Sequence, residues 1–279
     1  MSDPREQMRA RWELAAQGWG KRADRVREHG LPVSMWMIEH SGLQPGQRVL
    51  ELAAGPGDTG FLAAELIEPG GTLVSSDASD AMLELARERA ERFGVKNVEF
   101  ANLQLEWIDL PAASVDAVLC RWGVMLCVDP PAAVKEVRRV LRPGGRFALA
   151  VWDLADENPW ATIPSRALIE LGHTSPPDPD APSMFGLSEP GRLQQLLEDA
   201  GFVEVEVDTV QLERTYKTLD EFFDETHDLS MMFAEVYDAL GEDERREVMD
   251  ALASFAAPHT GEDGSLLLPG SSLVAVAAA

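Results

Sequence analysis

Cysteines and basic residues are both scarce in this chain of 279 residues. Its 2 cysteines, Cys120 and Cys127, are too few for a disulfide framework or a metal cage, so we expect no metal site and a reducing compartment. The 24 basic residues face 48 acidic ones, and the formal net charge is −24. Such a surface repels phosphate backbones and anionic membranes, so we expect no nucleic-acid partner.

Long apolar runs are missing as well. No run approaches the roughly 20 residues that a membrane-spanning helix requires. The first 27 residues are charged throughout and lack the apolar centre of a signal peptide. We therefore expect no membrane span and a cytoplasmic location. The hydrophobic share of 45% is ordinary for a globular protein, and the length suffices for a large core.

Short apolar runs alternate with helical patterns along most of the chain. The patterns predict strands over 48–53, 72–76, 97–101, 115–120, 146–152, 202–207 and 272–277. They predict helices over 58–67, 79–94, 132–141, 188–201, 219–240 and 242–255, after a helical start that includes a short helix from Pro32 to about Ser41. This order predicts an α/β, doubly wound, mostly parallel sheet with right-handed crossovers. The stretch from Asp153 to Leu187, with its proline-rich run Pro176 to Pro182, is predicted to be irregular.

A glycine-rich turn follows the first predicted strand. Gly55, Gly57 and Gly60 form a GxGxxG pattern between a strand and a helix, where bare backbone lets a ligand approach closely. Asp77 lies 22 residues after Gly55, at the end of the second strand, where its carboxylate can bind both hydroxyls of a ribose. The same residues also suit a tight turn with a helix-capping aspartate. As a ligand site, the pattern fits either a dinucleotide or S-adenosylmethionine.

Two observations favour S-adenosylmethionine. Glu51 ends the first strand, and a carboxylate there repels a pyrophosphate but suits an ammonium or sulfonium cation. The only tyrosines, Tyr216 and Tyr237, have no lysine four residues later, so the YxxxK pair of short-chain dehydrogenases is missing. An NAD(P)-dependent oxidoreductase and a non-catalytic S-adenosylmethionine-binding protein remain the alternatives.

Several motifs together resemble the class I S-adenosylmethionine-dependent methyltransferases, in the small-molecule branch that includes quinone biosynthesis. The motifs are VLELAAGPGDTG (49–60), SSDASDAML (75–83), VDAVLCRWGVML (115–126) and VRRVLRPGG (137–145). The resemblance implies a Rossmann-like, seven-stranded sheet with an antiparallel last strand and helical lid segments. It also implies a set of cofactor-binding residues: Glu51, Ala53, Gly55, Pro56, Gly57, Asp77, Ala78, Met82, Gln104, Leu105 and Glu106. Arg121 joins this set because it follows the fourth predicted strand, where ligands of parallel sheets bind.

The acceptor is expected beyond the carboxyl ends of the strands, under a lid of N-terminal helices and of segments after Asp153. We therefore divide a single domain into a helical lid (1–45), a cofactor-binding core (46–152), acceptor-side insertions (153–261) and a C-terminal strand (262–279). The methionines and aromatic residues of the lid segments suggest a small apolar or aromatic acceptor. The predicted acceptor pocket consists of Trp19, Trp36, Trp122, Trp152 and Met231. His227 ranks first among five histidines as a general base, and Asp153 is a second catalytic candidate.

Overall fold

The computed structural model describes residues 3–177 and 182–279. Within these residues the chain forms ten α-helices around one sheet of seven strands. The strands are β1 (Arg48–Glu51), β2 (Thr72–Asp77), β3 (Val98–Asn102), β4 (Val115–Arg121), β5 (Leu141–Trp152), β6 (Val203–Tyr216) and β7 (Leu266–Ala278). The helices are α1 (Pro4–Lys21), α2 (Ala23–His40), α3 (Asp58–Leu66), α4 (Asp80–Phe93), α5 (Pro130–Val140), α6 (Pro159–Glu170), α7 (Arg192–Asp199), α8 (Leu219–Leu229), α9 (Met231–Ala239) and α10 (Glu242–Ala256).

The sheet has the order β3-β2-β1-β4-β5-β7-β6. The five strands from β3 to β5 pair in parallel, and β7 lies antiparallel between β5 and β6. This confirms the predicted doubly wound sheet with an antiparallel last strand. Residues of β1, β4 and β5 dominate the core because helices cover both faces of these central strands.

Short polar signals set the ends of the core helices. At the start of α4, the hydroxyl of Ser79 accepts a hydrogen bond from the backbone N–H of Met82 at 3.1 Å. At its end, Gly94 adopts a φ of 73°, which a residue without a Cβ tolerates best. The start of α5 has an equivalent cap, with Asp129 accepting from the N–H of Ala132 at 3.0 Å. These signals explain why the predicted helices of the core lie where they do.

Two predictions for the helices before β1 and after β5 are wrong. The second helix begins at Ala23 rather than at Pro32, which lies inside α2. Burial of Val26 and Val33 on its inner face outweighs the one backbone hydrogen bond that the proline removes. The region from Asp153 to Leu187, predicted to be irregular, contains α6, whose first residue is a proline and whose buried residues recur at helical spacing.

The predicted helix over 219–240 is also wrong, because it is two helices. Ser230 ends α8 and caps α9 by accepting a hydrogen bond from the N–H of Phe233 at 3.4 Å. The predicted proline-rich loop, Pro176 to Pro182, lies partly outside the described residues, at 178–181.

A second hydrophobic core lies beyond the sheet. The paired part of β6 and β7 continues past the end of β5, from Gln211 opposite Ser271 to Tyr216 opposite Leu266. Four helices, α6, α8, α9 and α10, pack around this protruding ribbon, and we call them the helical cap. Its core consists of Ile163, Ala167, Leu168, Tyr216, Phe222, Phe233, Val248, Leu252, Ala256, Leu266 and Leu268. Among the described residues, no helix combines the length and apolarity that a membrane crossing requires.

Replacing Phe222 by alanine tests the energetic weight of the helical cap. Phe222 is fully buried in the cap core, so Phe222→Ala should lower the free energy of unfolding by about 3–5 kcal/mol. Met232→Ala, on the neighbouring α9 and 64% exposed, is the matched control and should stay within about 0.5 kcal/mol of the wild type. Urea unfolding followed by circular dichroism measures both, and equal effects of the two substitutions would contradict the existence of a cap core.

Candidate functional site

A cleft opens at the carboxyl ends of β1, β2 and β4, between the glycine turn and α1. Its empty volume, counted to the open mouth, is about 1140 Å³. The wall consists of Arg5, Met8, Arg9, Trp12, Trp19, Glu51, Ala53, Ala54, Gly55, Pro56, Thr59, Asp77, Ala78, Met82, Gln104, Leu105, Glu106, Arg121, Trp122, Gly123, Leu126, Cys127 and Val128. The wall combines carboxylates with apolar and aromatic side chains, a composition typical of small-molecule sites.

The glycine turn forms the floor of the cleft. Ala53 and Gly55 both have a φ of 50°, and Gly57 has a φ of 86° as the residue before α3. A Cβ on Gly55 would meet nothing within 4 Å, so this backbone faces open space on the side of the cleft. A Cβ on Gly57 would overlap the ring of Phe61, so Gly57 serves the packing of the turn instead.

Glu51 is a buried carboxylate beneath the turn. Its Oε1 accepts the N–H of Gly60 at 2.6 Å, and its Oε2 accepts the hydroxyl of Ser75 at 3.0 Å. A Cβ on Gly60 would overlap this carboxylate, which explains the last glycine of the pattern. Burial raises the pKa of Glu51 from its ordinary 4.5 to about 7, against the lowering effect of these two hydrogen bonds. A cation in the cleft would favour the ionised form.

Asp77 fixes the opposite side of the turn. Its Oδ2 accepts the N–H of Gly55 at 2.9 Å, and its Oδ1 accepts the N–H of Ser79 at 3.0 Å. Burial raises the pKa of Asp77 despite these bonds. The carboxylate therefore both holds the turn and lies in the wall of the cleft, where it can accept further hydrogen bonds from ribose hydroxyls.

A series of ion pairs, buried except at Asp24, supports the cleft from below. Arg89 donates to Asp58 at 2.7 Å and to Asp24 at 3.0 Å, while Asp58 also lies 3.6 Å from Arg121. Arg121 donates to the hydroxyl of Ser34 in α2 at 3.0 Å. A Cβ on Gly30 would overlap the guanidinium of Arg121, so the close approach of α2 requires glycine at this position. These ion pairs and the hydrogen bond to Ser34 tie α2, α3 and α4 to the end of β4.

Helix α1 covers the cleft and is held at several points. Glu13 accepts the N–H groups of Asp80 and Ala81 at 2.7 and 3.0 Å, at the N-terminus of α4. Arg5 forms an ion pair with Glu106 across the mouth of the cleft. Trp19 lines the inner wall, and its indole Nε1 is buried with no hydrogen-bond partner among the described residues. A buried donor of this kind favours a ligand that accepts a hydrogen bond.

The structure brings together all of the predicted cofactor-binding residues except Gly57, which lies behind the turn. Of the predicted acceptor residues, Trp19 and Trp122 line the cleft. Trp152 stacks directly behind Trp122, with ring centroids 4.0 Å apart. Trp36 lies outside the wall and stacks on His40, while Met231 packs behind the wall against Ala15, Ala16 and Met82.

The two catalytic candidates lie outside the cleft lining. His227 is partly exposed on α8 and its Nε2 is 2.9 Å from Asp238 of α9, so it joins two cap helices. Asp153 accepts the hydroxyl of Ser271 at 2.7 Å and the N–H of Leu154 at 2.8 Å, which shapes the turn after β5. Their positions therefore do not support a general base at either residue.

Sequence reasoning missed several wall residues. Met8 and Arg9 line the cleft on the face of α1 that also carries Trp12, so helical spacing from Trp12 could have found them. Thr59 also lines the wall. It lies beside Gly60 within the glycine motif, so its position in the sequence could have indicated it. Cys127 also lines the wall, and it directly follows the motif at 115–126, which could have indicated it. Within the described ranges, no group of three or more His, Cys, Asp or Glu side chains could hold a metal ion.

The fold and the cleft define a class of protein, the doubly wound α/β proteins that bind an adenosine-containing cofactor at a glycine turn. The particular family follows from comparison with known sequences. A family model described as a methyltransferase domain matches residues 43–201, more than half of the chain. The chain belongs to this methyltransferase family, and the predicted class is confirmed. The family match gives no support to an oxidoreductase.

The chain is similar to ubiquinone/menaquinone biosynthesis C-methyltransferases named UbiE. The protein of Pseudomonas putida (strain F1) is 36% identical over 113 residues, which are 40% of this chain and 44% of that protein. The protein of Pasteurella multocida (strain Pm70) is 29% identical over 195 residues, 64% of this chain and 73% of the relative. The chain thus spans less than half the length of the first curated relatives that it matches.

The fold has relatives among solved structures. The YcgJ protein of Bacillus subtilis aligns with a TM-score of 0.57 at 19% sequence identity, over 88% of this chain and 97% of that protein. At this identity the likeness concerns the fold alone.

S-adenosylmethionine, the methyl donor of this family, fits the residues of the cleft. The open space at Gly55 leaves room beside the backbone, and the unpartnered Nε1 of Trp19 offers a donor. Glu51 and Asp77 are carboxylates that could contact an ammonium group and ribose hydroxyls, respectively. The chemistry of the wall thus matches a ligand with one cationic end and one sugar.

The raised pKa of Glu51 predicts a dependence of stability on pH. The folded state holds the Glu51 proton more tightly than the unfolded state, so stability is lost as pH rises from about 4.5 to about 7. Glu51→Gln has no titrating carboxyl at this position and should not show this loss. The free energy of unfolding of Glu51→Gln minus that of the wild type should therefore rise by about 3 kcal/mol between pH 4.5 and about pH 7. Urea unfolding at several pH values without cofactor measures the difference. Glu91→Gln, at an exposed position, is the control. If the difference in unfolding free energy between Glu51→Gln and the wild type changes with pH as little as it does for the control, the raised pKa of Glu51 is contradicted.

Proposed function

We propose that the protein transfers a methyl group from S-adenosylmethionine to a small, oxygen-bearing aromatic molecule such as a hydroquinone. The observation that carries the proposal is the composition of one cleft wall. It contains the Glu51 and Asp77 carboxylates on either side of a bare glycine turn, and Trp122 at its far end. The two carboxylates and the glycine turn suit the methyl donor, and the tryptophan suits a flat apolar acceptor.

The acceptor class is supported from two directions. Trp122 stacks on Trp152, so the wall at the end of β4 is a rigid aromatic surface. The UbiE relatives are named for a C-methylation in the biosynthesis of two quinones, ubiquinone and menaquinone. Together these favour a hydroquinone or phenol over an amine or an acidic polymer.

The residues of the chain position the reactants and exclude water. When bound, S-adenosylmethionine supplies a methyl group already activated by its sulfonium charge. Glu51 balances positive charge at the turn, and Asp77 holds the sugar end, so the donor has one orientation. Met8, Trp12 and Trp19 of α1 shield the cleft from solvent. Orientation and exclusion of water are what an in-line transfer requires of the protein.

We also propose that the core and the helical cap act as a single domain, since β6 and β7 run through both. The cytoplasmic location stays a prediction.

The proposed reaction can be tested with the purified chain and methyl-labelled S-adenosylmethionine. Hydroquinones, phenols, amines and isoprenoid compounds are offered separately, and products are identified by mass spectrometry. Label should appear on a hydroquinone or phenol. Tight binding of the donor without transfer to any of these compounds would refute the proposal and favour a non-catalytic binding protein.

Asp77→Asn should weaken the binding of S-adenosylhomocysteine about tenfold or more. The substitution replaces a charged acceptor of hydrogen bonds by a neutral amide. Isothermal titration calorimetry measures the affinity, and circular dichroism verifies the fold. Asp109→Asn is the matched control, because Asp109 is exposed and lies outside the cleft wall. An unchanged affinity in Asp77→Asn would remove Asp77 from the cofactor site.

A further inference from the structure

A guanidinium group lies in the wall of the cleft, at the carboxyl end of β4. Arg121 is the last residue of that strand, and it lines the cleft with 9% of its side chain exposed. The guanidinium lies over the ring of Trp122, 4.8 Å from the ring centroid. Trp122 is the aromatic surface of the proposed acceptor site, so Arg121 brings a positive charge to that side of the cleft.

Several donors of this guanidinium have no hydrogen-bond partner. Nη1 donates to the hydroxyl of Ser34 at 3.0 Å, and Nη2 lies 3.6 Å from Asp58, which is too far for a hydrogen bond. Neither Nε nor Nη2 donates a hydrogen bond within the described residues, and neither atom is fully buried. Because an arginine presents five N–H groups, Arg121 has donors left for a ligand in the cleft.

The buried charges around Arg121 do not cancel its own. Asp58 is shared, because Arg89 donates to it at 2.7 Å. Glu51 is the other carboxylate that acts on Arg121, and burial raises the pKa of Glu51 to about 7, so Glu51 is only partly ionised at neutral pH. The contact from α2, at Ser34, is uncharged. Positive charge therefore exceeds negative charge among these buried groups, in a chain whose formal net charge is −24.

Methyl transfer to a phenol requires that the acceptor lose a proton, because the phenolate is a far better nucleophile than the phenol. The two predicted bases, His227 and Asp153, do not line the cleft. A guanidinium stabilises an oxyanion through charge-assisted hydrogen bonds and gives up no proton of its own. A cation in the wall can therefore favour the ionised acceptor in the absence of a nearby base.

We propose that Arg121 binds the oxygen of the methyl acceptor in its ionised form, through the N–H groups that have no partner in the protein. This rests on the proposed function and specifies its substrate class as phenols and hydroquinones that bind as anions. On binding, the O–H bond of the acceptor breaks, the electron pair stays on the oxygen, and the proton passes to solvent water. Arg121 keeps its own protons throughout and acts as a catalytic residue through its charge.

The test reads the ionisation of a bound phenol without turnover. The probe is 4-nitrophenol, whose neutral and ionised forms differ in absorbance, titrated with pH in the presence of excess full-length protein saturated with S-adenosylhomocysteine. Bound to the wild type, the phenol should be about tenfold more acidic than in solution. Arg121→Gln should abolish this gain in acidity, and Arg121→Lys, which keeps the charge, should retain part of it. Arg192→Gln, at an exposed position of α7 outside the cleft wall, is the matched control and should behave as the wild type.

The wild-type titration decides even where a variant does not fold, because a bound phenol no more acidic than the free phenol would overturn the proposal. A gain in acidity that survives in Arg121→Gln would also overturn it. The affinity of Arg121→Gln for S-adenosylhomocysteine, measured by calorimetry, should stay within about threefold of the wild type. A loss of about tenfold or more would place the guanidinium at the carboxylate of the donor instead. Absence of methyl transfer in the labelled-donor assay refutes the proposed function, whereas the phenol titration tests Arg121 alone.

Discussion

The Glu51 carboxylate is the constraint on which the cleft depends. Its two oxygens join the end of β1 to the first turn of α3 through Gly60 and to β2 through Ser75. These contacts fix the path of the turn between them, including the left-handed backbone at Ala53 and Gly55. A carboxylate without a directly bonded cation is expensive to bury. Its placement under the floor of a ligand cleft is consistent with a site that receives positive charge from outside.

The sequence allowed the core of the fold and the donor side of the cleft to be predicted, because their signals are local. Continuous apolar runs mark strands that are covered on both faces, and the helix caps at Ser79 and Gly94 lie beside the helices that they end. The glycine pattern, Glu51 and Asp77 all lie within thirty residues, in one β-α-β unit. Neighbouring parallel strands bring their carboxyl ends to one edge, so sequence order alone placed these residues together.

The acceptor side could not be predicted in this way, since its contacts join distant parts of the chain. Met231 of α9 packs behind the cleft wall against Ala15 and Ala16 of α1, and neither sequence neighbourhood indicates the other. Periodicity placed His227 correctly on a helix of the cap, but it could not show that the side chain faces Asp238 instead of the cleft. The early start of α2 was missed for a related reason, because burial against the sheet, absent from local propensity, outweighed Pro32.

The ribbon formed by β6 and β7 links the two cores mechanically. Its inner half completes the sheet beside β5, and its outer half carries the core of the helical cap. Because both halves belong to the same two hydrogen-bonded strands, a twist imposed at one end is transmitted to the other. Sequence changes in the helical cap that suit a new acceptor must therefore preserve the twist of the ribbon. Such changes are tolerated most easily in the helices that pack on it.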